Sequence, residues 1–110
     1  MAVSIQTIID SKYAEDSQVF QFVADTTVII DKFTATNVSS SSEQISINIV
    51  DEGSPADSNL IIDERTIAPG ETYTCPELTN HVLQAGSGIA TLASAPNAIT
   101  IRASGTVITG

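Results

Sequence analysis

Cys75 and His81 are the chain's one thiol and one imidazole, and both lie in TIAPGETYTCPELTNHVLQAGSGI, Thr66 to Ile89, of a 110-residue sequence. Nucleophilic catalysis would need the two to meet, with a third group orienting the imidazole. The local context argues otherwise, because Pro76 follows the cysteine directly. The expectation is that Cys75 serves as a small buried hydrophobe at a strand end and that His81 is a loop or interface residue. One Cys and one His also fall short of the four ligands of a structural zinc site. Asp51, Glu52 and Asp57, followed by Asp63 and Glu64, crowd one loop and the segment after it. Calcium takes six to eight oxygens, so Asp51, Glu52 and Asp57 are the calcium candidates. Their spacing does not fit an EF-hand, and a solvated acidic loop is the simpler reading. QAGSGI has no lysine after it and no βαβ unit around it, so its glycines read as turn residues and not as a phosphate cradle. No catalytic residue and no cofactor is expected.

Whatever its role, this stretch must be placed by a scaffold, and the composition says which kind. The chain has 15 Ile, 8 Val and 13 Thr against 4 Leu. Side chains branched at Cβ lose rotamer freedom in a helix and pack well on a pleated surface. The reading is all-β, in a single domain with its own core. Period-two alternation supports it in QISINIV (Ile45, Ile47 and Ile49 against Ser46 and Asn48), in AITIRAS (Ile99, Ile101 and Ala103 against Thr100, Arg102 and Ser104) and in DKFTATNV.

Turns divide the strands every 8–12 residues or so, the interval of a sandwich or jelly roll. SSSSEQ suits a hairpin loop, and DEGSPADS a longer exposed one. APG is a turn with Pro69 at a fixed φ and Gly70 at a positive one. PELTNHVL has the makings of one or two helical turns beginning at Pro76, with Leu78, Val82 and Leu83 plugging one end of the sandwich. A bend or bulge is expected in the last strand at Gly105. SQVFQFVA and TTVIID read as strands, and SIQTIID as a strand, a helical turn or a docking arm. The fold expected is a single-domain antiparallel β-sandwich, jelly-roll-like, with seven or eight strands. Residues 1–32 form N-terminal strands or an arm that docks on a neighbouring subunit, and residues 33–110 form the body. Apolar excess makes Ile5, Val19, Phe20 and Phe22 the interface candidates.

The formal net charge is −9. All 13 acids lie in residues 1–77, and residues 78–110 carry Arg102 alone. An acidic chain of this kind has no basic stripe for nucleic acid and repels anionic lipid, so neither is an expected partner. A segment so poor in charge suits core strand or subunit contact. The N-terminus lacks the basic and apolar regions of a secretion signal, which points to synthesis in a cytoplasm.

Four segments, FTATNVSSSSEQISINIVDEG, RTIAPGETYTCPEL, HVLQAGSGIATLAS and AITIRASGTVIT, resemble a family of small virion proteins of tailed bacteriophages. The resemblance covers about residues 33–109 and rests on turn and core signals, with Ser87 where the family pattern has an acid. It implies a non-enzymatic β-sandwich located in the virion, made in the host bacterial cytoplasm and present in many copies. The partners it implies are other copies of the chain and the capsid, portal, neck or tail proteins, with a head decoration or neck collar as the first role and a tail or baseplate component as the second. A reading from another class is a calcium-assisted carbohydrate or receptor binding module.

Overall fold

Two antiparallel sheets pack face to face in the computed structural model, which describes residues 1–109. The strands are β1 (Ala2–Tyr13), β2 (Val19–Val23), β3 (Thr27–Asn37), β4 (Glu43–Val50), β5 (Leu60–Ile67), β6 (Thr72–Tyr73), β7 (Val82–Leu83), β8 (Gly88–Ala93) and β9 (Ile99–Thr109), with a 3-10 turn at Asp57–Asn59. One sheet runs β1-β9-β3-β6, with β7 also on β3, and the other runs β2-β8-β4-β5. This is the strand order of a jelly roll, with successive strands changing sheet except at the β4–β5 hairpin and at β6 and β7.

Nine strands are assigned among the described residues, where seven or eight were expected, and the reason is local. β6 and β7 pair with opposite ends of the same edge of β3, at Ala35–Thr36 and at Val28–Ile29. They are one jelly-roll position interrupted by Thr74–His81. The expected helical turns are absent from that interruption. It is a run of tight turns, with the N–H of Leu78 bonded to the Cys75 carbonyl and that of His81 to the Leu78 carbonyl. Left-handed backbone at Cys75 (φ 48°) and Asn80 (φ 72°) stops the turns from propagating as a helix. Leu78 and Leu83 are fully buried in the core, whereas Val82 faces out at 47% exposure.

The core lies between the sheets and is built mostly of isoleucine around Phe33, with Ile30, Ile45, Ile47, Ile67, Ile89, Ile99 and Ile101 fully buried. The predicted inward sets of β4 and β9 are therefore present. On β4 the opposite, polar face is covered too. The Asn48 amide donates to the Ala56 carbonyl (3.0 Å) and the Asn59 side chain (2.7 Å), which folds the acidic loop back over the strand. The bulge expected at Gly105 falls instead on its neighbours. Thr7 and Ile9 of β1 face Ser104 and Ala103, leaving Ile8 unpaired, and Asp31 of β3 is unpaired between Ile30 and Lys32. The division expected at residue 32 runs through the middle of β3, and residues 1–32 supply an edge strand to each sheet.

Candidate interaction surface

The structure keeps the thiol and the imidazole in different environments. Cys75 is fully buried, while His81 sits exposed on the last turn before β7. Burial, with a smaller push from the Glu77 carboxylate, raises the Cys75 thiol to about 12 against the opposing pull of Arg65. A thiol held protonated is no nucleophile. Beside it, the Tyr73 hydroxyl donates to Glu77 Oε1 at 2.5 Å, and the Arg65 guanidinium lies 4.2 Å from the centre of the Tyr73 ring. Burial and the bond to Glu77 push Tyr73 up to about 12, and the same bond holds the Glu77 carboxyl below its usual range. These groups brace the corner between β5 and β6.

Two results follow from this corner. A thiol-alkylating reagent should leave Cys75 unmodified in the native protein and react fully once denaturant unfolds it. Both raised groups are acids kept neutral by folding, so their contribution is complete below the unfolded values and lost as pH climbs through the folded ones. Urea midpoints should therefore fall between pH 9 and about 12, and Cys75→Ala should flatten part of that fall. A midpoint independent of pH over this window would contradict the burial argument.

The calcium candidates are not drawn together. Asp51 accepts a hydrogen bond from the Ser87 hydroxyl at 3.0 Å, Glu52 is exposed in the loop, and Asp57 opens the 3-10 turn. Among the described residues no three His, Cys, Asp or Glu side chains converge on one point.

What the fold does build is an uncovered surface on the β1 sheet. Directly opposed residues of an antiparallel pair share a face. The pairs Ile5↔Thr106, Thr106↔Ile29 and Ile29↔Val82 thus set four residues from four strands in one row. Val3, Ile108 and Thr27 make the next row. The flanking register, Val28 with Leu83 and Val107, turns towards the core, and Val28 and Leu83 are buried there. The two rows consequently face solvent, with Ile5 at 82%, Val3 at 59% and Val82 at 47% exposure. Further along the same face the character changes to polar and mixed charge. Arg102 lies opposite Thr34, bonds Ser11 and Thr7, and lies 3.8 Å from Asp10.

The same sheet has an edge that is unguarded along its first half, residues 2–7, ahead of the bulge at Ile8. Exposed strand edges are ordinarily blunted by charge, brevity or bulges. β5 carries Asp63, Glu64 and Arg65 with left-handed backbone at Glu64, β6 and β7 are two residues each, and β2 has five residues with a register break after Phe20. β1 is twelve residues long and has no charge before Asp10.

No family model matches the sequence, and no curated protein matches it. In structure, the chain is similar to a chain in the crystal structure of the T13 viral particle of infectious bursal disease virus, with a TM-score of 0.55 and 12% identity over 96% of this chain. A chain from the structure of the Gx strain of that virus is more distant, at a TM-score of 0.46 and 14% identity. This chain spans 30% and 32% of the length of those two. The likeness is one of fold.

Of the interface candidates, Ile5 lies on the exposed rows of the β1 sheet, and Val19, Phe20 and Phe22 lie on β2, the edge of the other sheet. The Phe20 ring is partly committed already. A Cβ on Gly88 would stand 2.8 Å from it, so the ring packs closely against that glycine. Sequence reasoning missed Ile29, Val82 and Ile108, which join Val3 and Ile5 only through register. The signal available was the alternation of Val3, Ile5 and Thr7 ahead of the first charge.

Proposed function

We propose that this chain is a non-enzymatic structural protein of a viral particle, present in many copies, and that the particle is a tailed phage with the chain on its head or neck. The observation that carries the reading is the jelly-roll order of the two sheets, spanning nearly the whole chain, together with its likeness to a chain of an icosahedral virus particle. The TATN, APGET and ASGTVIT segments support the phage assignment by their resemblance to small phage virion proteins. The apolar rows and the unguarded β1 edge supply contact surface, and many weak contacts in a repeated array add up by avidity. The acidic remainder suits an outer surface better than a wall that lines DNA.

Mass spectrometry of gradient-purified particles from the culture that makes this chain tests the proposal. The chain should be present at many copies per particle and should stay with heads when tails are sheared away. Abundance in the lysate with none in the particles would overturn the reading, and recovery with isolated tails would move it to the tail.

A further inference from the structure

Charge is divided between the long strands of the β1 sheet and the rest of the molecule. β1, β3 and β9 together hold Asp10 and Asp31 against Lys12, Lys32 and Arg102, which is 3 − 2 = +1. Everything else holds the other 11 acids and Arg65, which is 1 − 11 = −10, and the two sum to the −9 of the chain. The apolar rows Val3–Ile108–Thr27 and Ile5–Thr106–Ile29–Val82 lie on this near-neutral sheet, with Asp31 held beside them by the Thr106 hydroxyl at 2.8 Å and Asp25 in the turn at the rim.

We propose that a second copy of this chain covers that face, the two molecules packing the outer surfaces of their β1-β9-β3 sheets against each other about a two-fold axis. The inference deepens the particle-protein reading and rests on it for the presence of many copies. Charge selects the partner. Two chains of −9 repel through most orientations, but this one joins the near-neutral faces, on which Lys32 and Arg102 balance Asp10 and Asp31, and turns β4, β5 and the acidic loop away. The molecule measures 46 × 26 × 19 Å, so the outward acidic sides lie well beyond the screening length of roughly 8 Å at physiological salt. The face also carries both signs of charge, so an isologous contact can be self-complementary. Area is compatible with a concentration-dependent pairing. The three long strands at about 4.8 Å spacing and about 36 Å of length give roughly 500 Å², to which the short β7 at the edge adds, against the roughly 800 Å² that each partner contributes to a standard interface.

Sedimentation equilibrium of the full chain from about 1 μM to about 500 μM, with Val82→Asp and Ile5→Asp beside it, tests the pairing. Both sites are well exposed, so circular dichroism and melting should match the parent. The parent should dimerise, more tightly as salt rises, and each variant should raise the dimer dissociation constant at least tenfold. Val82 is decisive because it lies on the opposite edge of the sheet from β1. A Val82→Asp chain that still dimerises would mean pairing along the β1 edge, and a parent that stays monomeric throughout would mean no self-contact. Either outcome overturns the proposal. A monomer that is nevertheless found in particles would leave the particle reading standing, and a dimer absent from particles would defeat that reading alone.

Discussion

Asn37→Asp should cost this fold about 4 kcal/mol, several times the effect of an ordinary surface change. Asn37 ends β3 and is fully buried, yet all its polar atoms are engaged. Its amide nitrogen donates to the Ser41 and Ile67 carbonyls, each at 2.8 Å, and its Oδ1 accepts from the Ser39 N–H at 2.9 Å and the Ser39 hydroxyl at 2.7 Å. Its backbone carbonyl accepts from the Gly70 N–H, and its backbone N–H donates to the Glu71 carbonyl. One side chain therefore fastens the β3–β4 connection, a crossover between the sheets and not the hairpin expected at SSSSEQ, to the turn between β5 and β6. Aspartate has the same shape but no donor, and its oxygen would stand against two carbonyls in a fully buried site. The new carboxyl would be held neutral by burial, so its folded pKa rises above the unfolded value of about 3.9. The variant should recover stability as pH drops towards that value and lose it again as pH rises. Urea unfolding at pH 4 and pH 7 gives the measurement, and a deficit independent of pH would mean that the amide donors are not what holds the corner.

Asn37 also marks how far the sequence could be read. β-branched composition, alternation and turn residues pointed to an antiparallel sandwich because each is a local property, and period two survives wherever one face is buried. The APG turn is equally local: Gly70 takes φ 77°, and the Glu71 N–H closes the turn on the Ala68 carbonyl. PELTNHVL has a local pattern that permits helical turns, whereas β3 claims its backbone, with the Asn80 N–H bonded to the Ile30 carbonyl and the Ile30 N–H to the His81 carbonyl. The exposed rows are a further step removed. Ile29 looks like any core residue of TTVIID, and the unpaired Asp31 one turn of the pleat later is what allows both ends of β3 to fit their faces. Register across four strands put Ile5, Ile29 and Val82 together, and register is a property of pairing that no single segment contains. Asn37 falls in the same class, since the carbonyl it satisfies at Ile67 is 30 residues away.

Gly105→Val should be the second severe change, with a loss of at least about 3 kcal/mol, beyond what β-propensity would gain for valine in a strand. Gly105 is buried in the middle of β9, pairing with Gln6 of β1 on one side and Ile30 of β3 on the other. A Cβ there would stand 2.8 Å from the Ile29 carbonyl oxygen, 3.2 Å from Val28 Cγ1 and 3.4 Å from Ile8 Cδ1. The first is backbone, so relief requires moving β3 itself and not turning a side chain. The unpaired residues Ile8 and Asp31 flank this point on both neighbouring strands, so the close approach and the two bulges are one feature. A bulge sharpens twist, and here it separates the buried stretch of the sheet, with Ile9, Phe33 and Ala103, from the end that carries Val3, Ile5, Ile29 and Ile108. Gly105→Ala should already lower the urea midpoint, and Gly105→Val should lower it further and expose amides of β1 to hydrogen exchange before those of β4. If valine were tolerated, or if β1 and β4 lost protection together, the strands would not be as closely packed at this point as the distances require. The expected order, with β1 released first, ties the contact surface to a single missing side chain. The face offered to a second copy keeps its shape because residue 105 has no Cβ.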